Sequence, residues 1–190
     1  MSGEADGRMP TPGATAVAGR GPRAGAPGTG REIEFHLGVA DKFDYACRLL
    51  RKIHARQLRC VVIGDARALT RLDAQLWSFD PQSFLPHMRL RAGQAIDPVL
   101  VRTPLWLADE AAVAGPADVL LNLGPQPADP QTLAQWARVV ELVGDDEADL
   151  QAARQRWRLY RQAGHAPRDM RQDAGAGTGQ GAPATPSADA

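Results

Sequence analysis

The sequence predicts an α/β fold, a three-layer sandwich whose mainly parallel sheet carries helices on both faces. Three observations predict it. A continuous apolar run at 60–63 is of the kind found in strands covered on both sides, and short strand candidates recur at 119–121 and at 139–143, the last interrupted by Glu141. Segments of helical spacing alternate with them, as crossover connections between parallel strands require. All ten aromatic residues lie between Phe35 and Tyr160, so one domain of about 135 residues, an ordinary size, contains the core.

The elements follow in order. Ile33, Phe35 and Leu37 alternate with Glu34 and His36, a half-buried strand. Asp41 reads as a helix cap, and Phe43, Ala46, Cys47, Leu50 and Ile53 recur on one face of the helix behind it. Cys60-Val61-Val62-Ile63 forms the next strand, and Asp65 caps a second helix with the stripe Leu69, Leu72, Leu76. An irregular stretch at 78–98 contains Pro81, Pro86 and Gly93. Further strands are expected at 99–101, 119–121 and 139–143, with a brief helical stretch at 131–136. A long helix at 146–163 stops at Gly164. Residues 1–30 contain 18 Gly, Ala or Pro and residues 166–190 contain 14. Neither segment has an aromatic ring or an apolar period, so both are expected to be disordered tails around a domain at 31–165.

Charge and motifs narrow the function. With 22 basic and 22 acidic side chains the net charge is zero, which argues against broad binding to bare nucleic acid. Asp44 and Arg48 stand at i,i+4, so the basic run through Arg51, Lys52, Arg56 and Arg59 reads as a solvated helix face. No apolar run reaches the length of a membrane span or a signal peptide's apolar region. Two cysteines fit a reducing cytoplasm, the expected location. The strand-to-helix turns Gly38-Val39-Ala40-Asp41-Lys42 and Gly64-Asp65-Ala66-Arg67 hold no phosphate-loop motif, and Asp65 would repel an anion. No nucleotide-binding loop, cofactor or metal is therefore expected. His36, His54, His87 and His165 lack close ligand spacing, and Cys47 and Cys60 sit at apolar positions suited to structural thiols. No catalytic residue emerges. A small nucleotide-binding enzyme with a degenerate loop is the rival reading.

Two features remain. On a helical wheel of the last helix, Ala148, Ala152, Leu159 and Ala163 form a narrow apolar stripe expected to pack on the sheet. Leu150, Arg154, Trp157 and Arg161 form an opposing, outward stripe. Two Arg flanking an indole could clamp carboxylates around a flat apolar slot, or the indole could simply stack under Arg at the sheet edge. The second feature is the segment 76–87, where Trp77, Phe79, Phe84 and Leu85 crowd a proline-bounded loop. At least one is expected to tuck the loop down; the others could form a partner patch.

Both features lie in segments that resemble a known family. Asp41-Lys42-Phe43-Asp44-Tyr45-Ala46-Cys47-Arg48-Leu49-Leu50-Arg51-Lys52, Leu72-Asp73-Ala74-Gln75-Leu76-Trp77-Ser78-Phe79-Asp80-Pro81-Gln82-Ser83-Phe84-Leu85-Pro86-His87, Ala117-Asp118-Val119-Leu120-Leu121-Asn122-Leu123 and Ala153-Arg154-Gln155-Arg156-Trp157-Arg158-Leu159-Tyr160-Arg161-Gln162-Ala163-Gly164 together are similar to the chi subunit of bacterial DNA polymerase III. The resemblance runs from about Glu32 to Gly164. It implies a Rossmann-like fold without a nucleotide site and a non-catalytic clamp-loader accessory subunit of the DNA polymerase (nucleotidyltransferase) holoenzyme. It implies binding of the acidic, Phe-ending C-terminal tail of the single-stranded DNA-binding protein by Arg154, Trp157 and Arg161, with Val143 lining the slot. It further implies docking of the psi subunit, and in some relatives of a repair helicase, around Trp77 and Phe84. DNA would be reached only through partners. Trp157 replaces a usual Tyr, and residues 88–98 replace a more glycine-rich loop.

Overall fold

The computed structural model describes residues 32–171, apart from 81, 83, 92, 112–116 and 131. The first expected tail, the second from residue 172 onward, Pro81 and Ser83 of the aromatic loop, and Gln131 lie outside the described residues.

Among the described residues, seven strands form one parallel sheet in the order β3-β4-β2-β5-β6-β1-β7. They are β1 (Glu32–Val39), β2 (Cys60–Ile63), β3 (His87–Leu90), β4 (Leu105–Ala108), β5 (Val119–Asn122), β6 (Arg138–Gly144) and β7 (Arg168–Arg171). Helices α1 (Lys42–Ala55) and α2 (Ala66–Ser78) pack on one face and α3 (Glu147–Gln162) on the other. The open α/β sandwich is thus as the sequence predicts. Side chains alternate along each strand. Val62, Leu121 and Val140 join Leu50 and Leu72 under α1 and α2, while Val61, Leu120 and Val139 join Ala153 and Tyr160 under α3.

The N-terminal signals hold in detail. Asp41 accepts hydrogen bonds from Phe43 N and Asp44 N at 2.9 and 3.0 Å, and Asp65 accepts one from Ala68 N at 2.8 Å. Ala46, Cys47, Leu50 and Ile53 are buried, as are Leu69, Leu72 and Leu76. The expected Asp44–Arg48 ion pair is 2.9 Å long.

Three expectations are corrected. The apolar triplet at 99–101 is not a strand but runs into a 3-10 turn (Leu100–Arg102), and its side chains are exposed. Asp97 explains it: its side chain takes Val99 N at 2.9 Å and its carbonyl takes Leu100 N at 2.9 Å, closing a local turn. The irregular stretch 78–98 contains β3, an edge strand whose only fully buried side chain is Leu90, and β4 follows it unforeseen. Residues 168–171, read as tail, form β7, which pairs with β1 in the register Glu34↔Arg168 and Phe35↔Asp169. An edge strand needs no apolar alternation, and charged residues there discourage further pairing.

Candidate functional site

Three Asp-capped helix N-termini meet the C-terminal edge of the sheet, where open α/β folds commonly bind ligands. Asp41 and Asp65 hold the first two, and Asp146 caps α3 through Asp149 N at 2.9 Å. Between the starts of α1 and α3, Lys42 Nζ donates to Asp149 Oδ2 at 2.7 Å and to Leu123 O at 2.9 Å. Asp149 Oδ2 also accepts Gly144 N at 2.7 Å. A Cβ on residue 144 would lie 3.2 Å from that oxygen, so the close approach suits glycine. A cavity of about 680 Å³ opens beside this clasp, lined by Asn122 and Gly124 and by the carboxylates Asp65, Asp109, Glu110 and Asp129. Among the described residues the lining contributes no basic side chain, and the helix ends carry their own anions. The arrangement does not suit a phosphate.

Cys47 and Cys60 are free and buried. Burial pushes the Cys47 thiol up to about 12, with Asp44 and Asp41 adding to it, and raises Cys60 further. Neither serves as a nucleophile near neutral pH. His36 is buried between Glu34 Oε2 at 3.1 Å and Tyr45 OH at 2.8 Å. Burial lowers its pKa against the pull of Glu34, which Arg138 also bonds. Among the described residues no three His, Cys, Asp or Glu side chains could hold a metal.

Helix α3 carries the principal candidate surface, in an orientation that differs from the wheel reading. Ala148, Leu159 and Ala163 face solvent and Ala152 is half-buried. The buried face is Ala153, Arg156 and Tyr160. Glu141, which the alternation of β6 points toward α3, turns the helix this way. It pairs with Arg156 Nε at 2.8 Å, accepts the Tyr160 hydroxyl at 2.6 Å and accepts Asn122 Nδ2 at 3.0 Å. Arg156 Nη1 adds a bond to Pro125 O at 3.0 Å, and Tyr160 OH accepts Ala128 N at 3.0 Å. Burial raises the Glu141 pKa, with Arg156, Tyr160 and Asn122 pulling it back; burial and Glu141 together raise Tyr160. Hydrophobic periodicity cannot foresee a face built on a buried ion pair.

With that face fixed, Arg154, Trp157 and Arg161 lie along one flank. Arg154 and Arg161 are exposed. Trp157 is half-buried rather than fully outward. Its indole meets the buried Phe35 of β1 edge-to-face at 5.0 Å, and Leu150 leans on the same cluster. The partner under Trp157 is therefore an aromatic ring. Val143 is wholly buried in that cluster, so it underpins the surface without reaching it. Leu150, read on the outward stripe, is instead half-buried against this cluster; Phe35 was not foreseen as part of the surface, although its strand alternation already marked it as core.

The aromatic loop lies on the opposite layer, at the other end of the sheet. Trp77 and Phe84 are 62% and 66% exposed, with rings 5.5 Å apart, and Trp77 rests on His87 at 5.1 Å. Leu85 is buried and Phe79 packs on the core, holding the loop down as expected.

The family model for "DNA polymerase III chi subunit, HolC" matches residues 31–168. The DNA polymerase III subunit chi of Pseudomonas aeruginosa PAO1 is 29% identical over 131 residues, covering 68% of this chain and 86% of that protein. Among solved structures, a Saccharomyces cerevisiae Dbp5 C-terminal domain, bound to Gle1 and IP6, superposes with a TM-score of 0.48 at 10% identity. That match covers 75% of this chain and 90% of the other.

Proposed function

Because the chain belongs to the DNA polymerase III chi subunit family and is thus a replication accessory subunit, we propose that it is a non-catalytic bridge. It holds the clamp-loader assembly to single-stranded DNA by gripping the acidic C-terminal tail of the single-stranded DNA-binding protein. The observation that carries this reading is the exposed flank of α3, where Arg154 and Arg161 bracket an indole fixed on Phe35. A guanidinium on either side can pair the terminal carboxylate and tail aspartates. The indole, already held by one ring, offers its open side to a terminal Phe at little entropic cost. The second surface, Trp77 with Phe84, is proposed to receive a psi-type clamp-loader subunit, and also a repair helicase. Large exposed rings beside one another are the usual substance of a binding hot spot. DNA is reached through the partner, and the protein works in the cytoplasm, where the replication machinery is.

The test is a titration of a labelled, short acidic peptide ending in Phe against wild type and Arg154→Ala. Loss of about 1–3 kcal/mol of affinity is expected, shrinking with added salt. Equal affinities would overturn the assignment. Capture of intact single-stranded DNA-binding protein, set against a form lacking its last few residues, checks that the tail is what is held.

A further inference from the structure

Helix α3 carries an acidic side chain directly on the proposed tail-binding flank. Glu147 is its first residue, and Arg154 and Arg161 follow at intervals of seven, a spacing that keeps all three on one line of the helix. Arg154 Nη1 reaches back two turns to Glu147 Oε1 at 3.2 Å, and Gln151 Nε2 donates to the same oxygen at 3.2 Å. The two side chains are 60% and 67% exposed, so the contact is open to exchange with solvent and ligand. The helix does not need Glu147 as its cap, since Asp146 fills that role.

Resting on the tail-binding reading, we propose that Glu147 is an internal competitor: its carboxylate occupies the Arg154 guanidinium in the free protein and must leave when an acidic peptide binds. An incoming carboxylate then exchanges one charged partner of Arg154 for another rather than filling a vacant site. This sets two properties of the surface. Weak or mispositioned anions gain nothing over Glu147 and are rejected, so selectivity rises at the expense of affinity. The displaced carboxylate, left beside an acidic ligand, also speeds release.

The test is a double-mutant cycle in the full chain, read by fluorescence anisotropy of a labelled, short acidic peptide ending in Phe. Glu147→Gln keeps the length of the side chain and removes its charge. It is expected to tighten binding about two- to fivefold at low salt, the range of an exposed pair, with the gain fading as salt rises. In the Arg154→Ala background the same substitution should give little or no gain. No tightening in the wild-type background would overturn the inference. So would an equal gain with and without Arg154, which would mark Glu147 as a distant charge only. Arg154→Ala binding as well as wild type would instead overturn the tail-binding reading itself. Circular dichroism of each variant should match wild type.

Discussion

Replacing Arg156 with Met removes one partner from a fully buried ion pair while nearly keeping the volume of the side chain. Glu141 retains the Tyr160 and Asn122 hydrogen bonds but loses its counter-charge at 2.8 Å, and Pro125 O loses a donor. Stranding a buried carboxylate this way costs about 3–5 kcal/mol at neutral pH, which for a domain of this size lowers Tm by about 10–20 °C. The penalty depends on pH. Burial already raises the Glu141 pKa from its ordinary 4.5, and Arg156 is the strongest influence pulling it back; without Arg156 it rises further. A carboxyl whose folded pKa exceeds its unfolded one contributes full stability below the unfolded value and loses it as pH climbs through the folded value. Arg156→Met should therefore be least harmful at about pH 5 and most harmful at about pH 8. Urea denaturation followed by circular dichroism at both pH values measures this. The double variant Glu141→Gln/Arg156→Met, which buries no charge, should recover about half the loss or more at pH 8. A penalty equal at the two pH values, or a double variant no more stable than the single, would refute the idea that this pair holds α3 in place.

Two further outcomes are expected. Trp77→Ala and Phe84→Ala should each change unfolding free energy by only about 0.5 kcal/mol, because both rings are largely exposed, while abolishing capture of a psi-type partner; a large loss of stability would make them structural instead. Cys47 and Cys60 should resist a thiol reagent such as DTNB at about pH 8 until the protein is denatured, since burial raises both thiols far above that pH; rapid labelling of the native protein would contradict their placement.

Where side-chain chemistry and burial agree, the fold was legible in the sequence. The stripe of Ala46, Cys47, Leu50 and Ile53 on α1 is buried as read, because Asp41 and the apolar period point the same way. Where backbone pairing decides alone, it was not. Nothing in Arg168-Asp169-Met170-Arg171 announces a strand; β7 exists because β1 offers it an open edge. The triplet at 99–101 failed in reverse, its strand-like side chains overruled by the turn that Asp97 closes. The candidate site was legible as a set of residues on one flank of α3, but not in its depth. Val143 sits beneath it and Trp157 half within it, because Glu141 and Arg156 turn the helix about an axis that apolar spacing misjudged.

That turn of α3 bears on whether a bridge is feasible. Had Ala148, Ala152 and Leu159 met the sheet, Trp157 would have stood free of β1, and a terminal Phe would have had to order the indole as it bound. With the buried pair inward, the indole is already fixed against Phe35, and the ordering cost is met by folding. The Trp77–Phe84 surface belongs to the other layer, with a parallel sheet between the two. The residues named on one surface are absent from the other, so the partners proposed for the two have no shared contact to compete for. The tether we propose needs that separation: under this reading its grip on the tail is weak and quickly released by Glu147 while its hold on the assembly is left alone.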